Sequence, residues 1–212
     1  MKMGCVLFDL DGTLLNTNDL VLESLQYTIR THLGTVIEDR ELYKYFGQPL
    51  VNIMADLNSS QAERMVQTYR EYSAEKHDYL TKVFPKVPET VKELKQRGIP
   101  TAVVTSKLKT LACRGLELFK LEGYFDACIA FEDTEKHKPD PAPIFKALEA
   151  IGFDVENHRV MMVGDSPYDI ICASNAGVIS AVVEWSLHPR EVLEACKPDI
   201  WLTDFPALLN YL

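Results

Sequence analysis

The chain has 212 residues, 47% hydrophobic and 25% charged, enough to bury a sizeable core and to form one large domain or one with an inserted subdomain. A formal net charge of −9 argues against a nucleic acid or an acidic membrane surface as partner, and no apolar run reaches membrane-spanning length. The five cysteines (Cys5, Cys113, Cys128, Cys172 and Cys196) are scattered and never spaced as C-x-x-C, so reduced thiols in a cytoplasmic protein are expected rather than a disulfide frame or a zinc site.

The chain opens on Val6-Leu7-Phe8-Asp9-Leu10-Asp11-Gly12-Thr13, with no signal-peptide pattern before it. An apolar run closed by a turn signal reads as a buried strand. Residues i and i+2 of a strand share a face, so Asp9 and Asp11 are expected to project together where the strand ends. Gly12 permits a sharp turn that brings backbone N–H groups close to a ligand. Two adjacent carboxylates repel, which calls for a cation between them, and an oxygen-only ligand set suits Mg²⁺. A plain surface Asp-Gly turn is the alternative for the pair alone.

After Thr13 the period becomes helical, with stretches expected at 17–33, 39–46, 49–57 and 60–83 and no strand among them. From Val87 onward helices and strands alternate. Helices are expected at 87–96, 107–119, 143–151, 169–176 and 189–196. Strands are expected at 101–105, 127–131, 160–163 and 179–183, and 200–212 closes the chain with a short strand and a helical turn. This alternation predicts an α/β fold, a doubly wound parallel sheet with helices on both faces. The stretch 15–83 is too long for an ordinary crossover, so it reads as an all-helical cap inserted between core segments 1–14 and 84–212. Hinges are expected at 14–18 and near Pro85 and Pro88, and Trp185 and Trp201 read as core residues.

Ligands of such sheets bind beyond the carboxyl ends of the strands. The first strand brings Asp9 and Asp11 there, and the strand at 101–105 brings Thr105-Ser106-Lys107, whose plainer reading is a helix N-cap. The segment after 127–131 brings Lys138, stiffened by Pro139 and Pro141. The strand at 160–163 brings Gly164-Asp165 and Asp169, whose plainer reading is capping of the next helix. Acids, a hydroxyl and a lysine at four strand ends of one sheet point to phosphoryl transfer.

These residues resemble a known family. Asp9-Leu10-Asp11-Gly12-Thr13, Thr105-Ser106, Lys138-Pro139 and Gly164-Asp165-x-x-x-Asp169 are similar to the four ordered motifs of haloacid-dehalogenase-superfamily phosphohydrolases, and the resemblance spans the whole chain, cap included. At a finer level, Leu7–Asn18, Phe46-Gly47-Gln48-Pro49-Leu50, Thr68-Tyr69-Arg70 and Thr105-Ser106-Lys107 resemble bacterial PpaX-type inorganic pyrophosphatases, close relatives of phosphoglycolate phosphatases. Asn16, where the latter usually carry Asp, tilts the resemblance toward the pyrophosphatases.

The resemblance implies Asp9 as nucleophile, Asp11 as acid and then base, and Thr105 and Lys138 as partners of the transferring group. It implies Mg²⁺ held by Asp9, the backbone carbonyl of Asp11, Asp165 and, directly or through water, Asp169. Gly12, Thr13, Ser106 and Lys107 are expected to contact substrate from the core, and Gly47 and Gln48 from the cap. Arg30, His32, Lys44, Arg64, Lys76 and His77 read as solvated cap residues. The cap loop shows no arginine and only Lys44 nearby, which favours pyrophosphate over the carboxylate of phosphoglycolate. A phosphatase for a small organic phosphate and a sugar-phosphate mutase are the alternative enzymes. A phospho-accepting receiver domain and an inactive binding module on this fold are the alternatives of other classes.

Overall fold

A computed structural model describes residues 3–153 and 159–212. In chain order, strand β1 (Met3–Phe8) and the two-residue β2 (Leu15–Asn16) lead into four helices, α1 (Asn18–Leu33), α2 (Asp39–Leu42), α3 (Leu50–Asn58) and α4 (Ala62–Leu80). The chain returns through β3 (Lys82–Val83) to α5 (Val87–Gln96), β4 (Thr101–Val104), α6 (Lys109–Leu118), β5 (Ala127–Ile129) and α7 (Ala142–Ala150). It then runs through β6 (Arg159–Gly164), α8 (Pro167–Ala176), β7 (Ile179–Val183), α9 (Arg190–Ala195) and β8 (Ile200–Leu202).

Six strands form one parallel sheet in the order β5-β4-β1-β6-β7-β8. Apolar side chains run unbroken from Cys5 to Phe8 of β1 because both faces are covered. Val6 and Phe8 pack with Val91, Leu116 and Phe205 on one face, while Cys5 and Leu7 pack with Ile144, Leu148 and Ala173 on the other. The doubly wound α/β reading therefore holds, with β1 at the centre of the sheet. Trp185 packs against Phe84 and Phe205, in keeping with its reading as a core residue. Trp201 packs at the edge of the sheet under the Arg190 guanidinium.

Helices α1–α4 form the separate cap layer, with its own core around Leu25, Ile29, Leu42, Met54 and Met65. The spacing of Leu25 and Ile29 places both on the buried face of α1, and Gly34, at φ +64°, ends that helix in the left-handed conformation. The expected helix over 60–83 stops at Leu80. Lys82 and Val83 instead pair antiparallel with Asn16 and Leu15, so the two crossings between core and cap form a short ribbon. The strand expected over 127–131 also ends early, at Ile129, because the Asp133 carboxylate accepts from the Ala130 N–H and turns Phe131–Asp133 into a 3₁₀ turn. Among the described residues no helix is long and apolar enough to cross a membrane, and the five cysteines are free.

Candidate active site

The carboxyl ends of β1, β4 and β6 and the segment after β5 meet under the cap. Lys138 is 3% exposed, and its Nζ donates to Asp9 Oδ1 at 2.6 Å, Asp169 Oδ1 at 2.6 Å and the Val104 carbonyl at 3.1 Å. One lysine thus ties the ends of β1 and β4 to the first turn of α8. Asp9, Asp165 and Asp169 are buried, and each offers a carboxylate oxygen within 4.8 Å of the others. Three buried carboxylates against one ammonium leave a surplus of negative charge, which an interior tolerates poorly.

The protonation energetics follow from this crowding. Burial is the main force pushing the Asp9 carboxyl up, to about 7, with Asp169 and Asp11 adding repulsion against the pull of Lys138. Burial and the charges of Asp9 and Asp169 raise Asp165 well above the ordinary carboxylate range. Burial opposes the charge of Lys138, but Asp169 and Asp9 outweigh it and hold the ammonium above its usual value.

The residues fit a hard divalent cation. Among the described residues the Asp165 carboxylate accepts only a long 3.4 Å hydrogen bond, from Thr13 Oγ1, and is otherwise free to ligate. Gly12, at φ +84°, stands so close that a Cβ there would lie 2.3 Å from Asp165 Oδ2. By contrast, both oxygens of Asp169 are engaged. Oδ1 takes Lys138, and Oδ2 accepts from Ser166 Oγ at 2.6 Å and the Ser166 N–H at 3.1 Å. The capping reading of Asp169 is thereby borne out, because Ser166 and Asp169 form the capping box of α8 while the same carboxylate steers Lys138.

Above this cluster lies a cavity of about 130 Å³ between cap and core. Asp9, Asp11, Thr105, Ser106 and Lys107 line it from the core, and Gly47 and Gln48 from the cap. Gly12 and Thr13, expected to contact substrate, do not line it. Thr13 is fully buried and braces Asp165. Asp9 and Asp11 do not project from one strand face as expected, since β1 ends at Phe8 and both lie beyond it, although both line the cavity. Asp11 parts from the buried cluster and pairs with Lys107 Nζ at 2.8 Å.

Thr105 and Ser106 are not helix caps. Leu108 holds the N-cap position of α6, and Thr105 Oγ1 instead accepts from the Lys107 N–H at 3.1 Å, folding the loop beneath the cavity. The Phe46-Gly47 loop rests directly on the core. Gly47 has φ +81°, its carbonyl faces Ser106 Oγ at 3.4 Å, and a Cβ there would lie 2.6 Å from Ser166 Oγ. His188 Nε2, which no sequence signal marked, meets the Phe46 carbonyl at 3.2 Å.

The absence of an arginine near the cap loop does not carry over to the folded site. Arg70 reaches the same cavity from α4, on the helix face it shares with Tyr69 and Ser73. Lys44, expected to serve that loop, lies over the Tyr45 ring and does not line the cavity. Gln48 Nε2 donates to the Lys44 carbonyl at 2.9 Å.

Comparison with known proteins agrees with this geometry. A relative from Caldanaerobacter subterraneus subsp. tengcongensis, described as "Putative pyrophosphatase PpaX", is 48% identical over 212 residues, covering 100% of this chain and 96% of the relative. "Pyrophosphatase PpaX" from Bacillus cereus is 38% identical over 212 residues, covering 100% and 97%. The crystal structure of a "predicted phosphatase" from Clostridium acetobutylicum superposes with a TM-score of 0.88 at 26% identity, covering 99% of this chain and 98% of that one. The sequence pattern of the haloacid dehalogenase-like hydrolases matches residues 6–183. The chain belongs to the haloacid dehalogenase-like hydrolase family.

Proposed function

We propose that the chain is a cytoplasmic, Mg²⁺-dependent phosphohydrolase whose substrate is inorganic pyrophosphate. The observation that carries the chemistry is Lys138 bridging Asp9 and Asp169 beside Asp165, beneath a cavity that Asp9 and Asp11 line. The full-length relatives named as pyrophosphatases support the substrate.

In this reading Asp9 is the nucleophile. Lys138 holds its Oδ1, which leaves the other oxygen to form the bond to phosphorus as the bridging P–O bond breaks. Asp11 delivers a proton to the departing orthophosphate and then takes one from the water that attacks phosphorus. The bond between Asp9 and phosphorus breaks in that second step and releases the second orthophosphate. Lys107, paired with Asp11, steadies that carboxyl and stands ready for the charge of the leaving group. Thr105 and the backbone around Ser106 cradle the phosphoryl oxygens. Asp9 and Asp165, with the Asp11 carbonyl, would hold Mg²⁺, and Asp169 supports the site through Lys138. Bound there, the ion neutralises charge on the transferring group. Residues 15–83 act as the lid, hinged at the ribbon of β2 and β3.

Arg70 in the cavity favours a second reading, a small organic phosphate that ends in a carboxylate, such as phosphoglycolate. Phosphate release from pyrophosphate, phosphoglycolate and a sugar phosphate, measured with Mg²⁺ present, decides between them. The highest kcat/KM is expected for pyrophosphate, and a clear preference for phosphoglycolate overturns the substrate but not the catalytic assignment.

A further inference from the structure

Among the described residues, every charged side chain that lines the cavity has an ion-pair partner except one. Lys107 holds Asp11, and Lys138 beneath holds Asp9 and Asp169. Arg70 also lines the cavity, yet it has no hydrogen bond or ion pair among the described residues, and its Nε is buried without a partner. An unmatched guanidinium in a half-enclosed space is costly unless a ligand supplies the missing acceptor. Its rigid fork of donors suits a phosphate or carboxylate bidentately.

Its place in the fold separates it from the groups that meet the transferring phosphoryl. Lys138 and Thr105 stand on the core at strand ends, whereas Arg70 stands on α4 of the cap. Tyr69 and Ser73, on the same face of α4, line the cavity with it and leave a polar rim on an otherwise largely apolar cap surface that includes Leu20, Val21 and Ile53. A neutral or apolar leaving group would leave that guanidinium unmatched.

Resting on the phosphohydrolase reading, we infer that Arg70 binds a second anionic group of the substrate, the part that leaves, and so restricts this enzyme to compact phosphates carrying charge at both ends. The cavity of about 130 Å³ is small beside pockets for drug-sized ligands and suits such compact molecules. In pyrophosphate the second group is the departing phosphate, and in phosphoglycolate it is the carboxylate. The inference holds for either.

The test compares the wild type with Arg70→Ala and Arg70→Lys. Imidodiphosphate, with two anionic ends, and orthophosphate, with one, are titrated by calorimetry in Mg²⁺ buffer. In parallel, kcat/KM is measured for pyrophosphate, phosphoglycolate and p-nitrophenyl phosphate, the last lacking a second anion. Arg70→Ala is expected to weaken imidodiphosphate by about tenfold or more relative to orthophosphate. It is also expected to lower the ratio of kcat/KM for the better doubly anionic substrate to that for p-nitrophenyl phosphate by a similar factor, and Arg70→Lys should recover part of both. Equal weakening of both probes, or an unchanged ratio, overturns the inference. A wild type that prefers phosphoglycolate overturns the pyrophosphate reading instead, and the ratio is then judged on phosphoglycolate.

Discussion

Asp169 Oδ1 lies 2.6 Å from Lys138 Nζ, while its Oδ2 accepts from both the hydroxyl and the backbone N–H of Ser166. A carboxylate held at both oxygens is a strut for the lysine more than a ligand for a cation. Asp165 is the reverse case, its buried carboxylate bound among the described residues only by a 3.4 Å contact from Thr13. Asp165→Asn should therefore cause the larger loss of Mg²⁺ affinity. Asp169→Asn should lower kcat by about 10- to 100-fold through a misplaced Lys138 and weaken Mg²⁺ less. Calorimetric Mg²⁺ titration beside steady-state kinetics separates the two, and equal losses of Mg²⁺ affinity would contradict the division of labour.

The buried acids make metal-free stability depend on pH in a defined direction. Asp9 moves from 3.8 in the unfolded chain to about 7 in the fold, and Asp165 also rises, so between those values the folded state binds more protons. Metal-free protein should lose stability as pH rises through that window. Mg²⁺, which competes with those protons, should bind more tightly and stabilise more at the upper end. Thermal midpoints at about pH 5 and about pH 8, with and without Mg²⁺, measure this. A Mg²⁺-induced shift no larger at the higher pH would count against the cluster as the metal site.

Gly47 tests whether the cap must seat on the core. Alanine there meets Ser166 Oγ at 2.6 Å and also carries the strain of φ +81°, so Gly47→Ala should lower kcat/KM about tenfold or more as the loop lifts. Gly34→Ala is the control, because φ is +64° there but nothing lies within 4 Å of the added carbon. It should cost about 1 kcal/mol of stability with little change in turnover. Equal kinetic effects of the two variants would show that strain, not seating, is responsible.

Much of this site was legible because Asp9, Thr105 and Asp165 each follow an apolar strand. Val6–Phe8 announces Asp9, Ala102–Val104 announces Thr105, and Val160–Val163 announces Asp165. The sheet and the helical insertion were legible for the same reason, since both rest on long periodic stretches. The ribbon of Leu15–Asn16 with Lys82–Val83 was not, because a two-residue pairing has no period to detect. In the loop after β4, Thr105 and Ser106 have the chemistry of N-caps, which makes that the plainer reading, yet α6 starts only at Lys109. Arg70 stands in the Thr68-Tyr69-Arg70 resemblance, but the sequence assigns it no role because a single polar residue of a cap helix carries no positional signal. Only the fold shows that its face of α4 turns toward Asp9 and Asp11. Thr13 looked like a ligand contact until its burial showed it bracing Asp165.

The proposed mechanism turns on attack of the Asp9 carboxylate at phosphorus. Lys138 fixes one of its oxygens at 2.6 Å, and the side chain lines the cavity above the acid cluster. The most direct measurement is a crystal structure of the enzyme with Mg²⁺ and beryllium fluoride, read beside the turnover of Asp9→Asn. A beryllium trifluoride adduct is expected on the Asp9 carboxylate, with its fluorines toward Lys138 and Thr105, and the variant should lose about 10⁴-fold or more in kcat. An adduct on Asp11, or substantial turnover by Asp9→Asn, would contradict this mechanism.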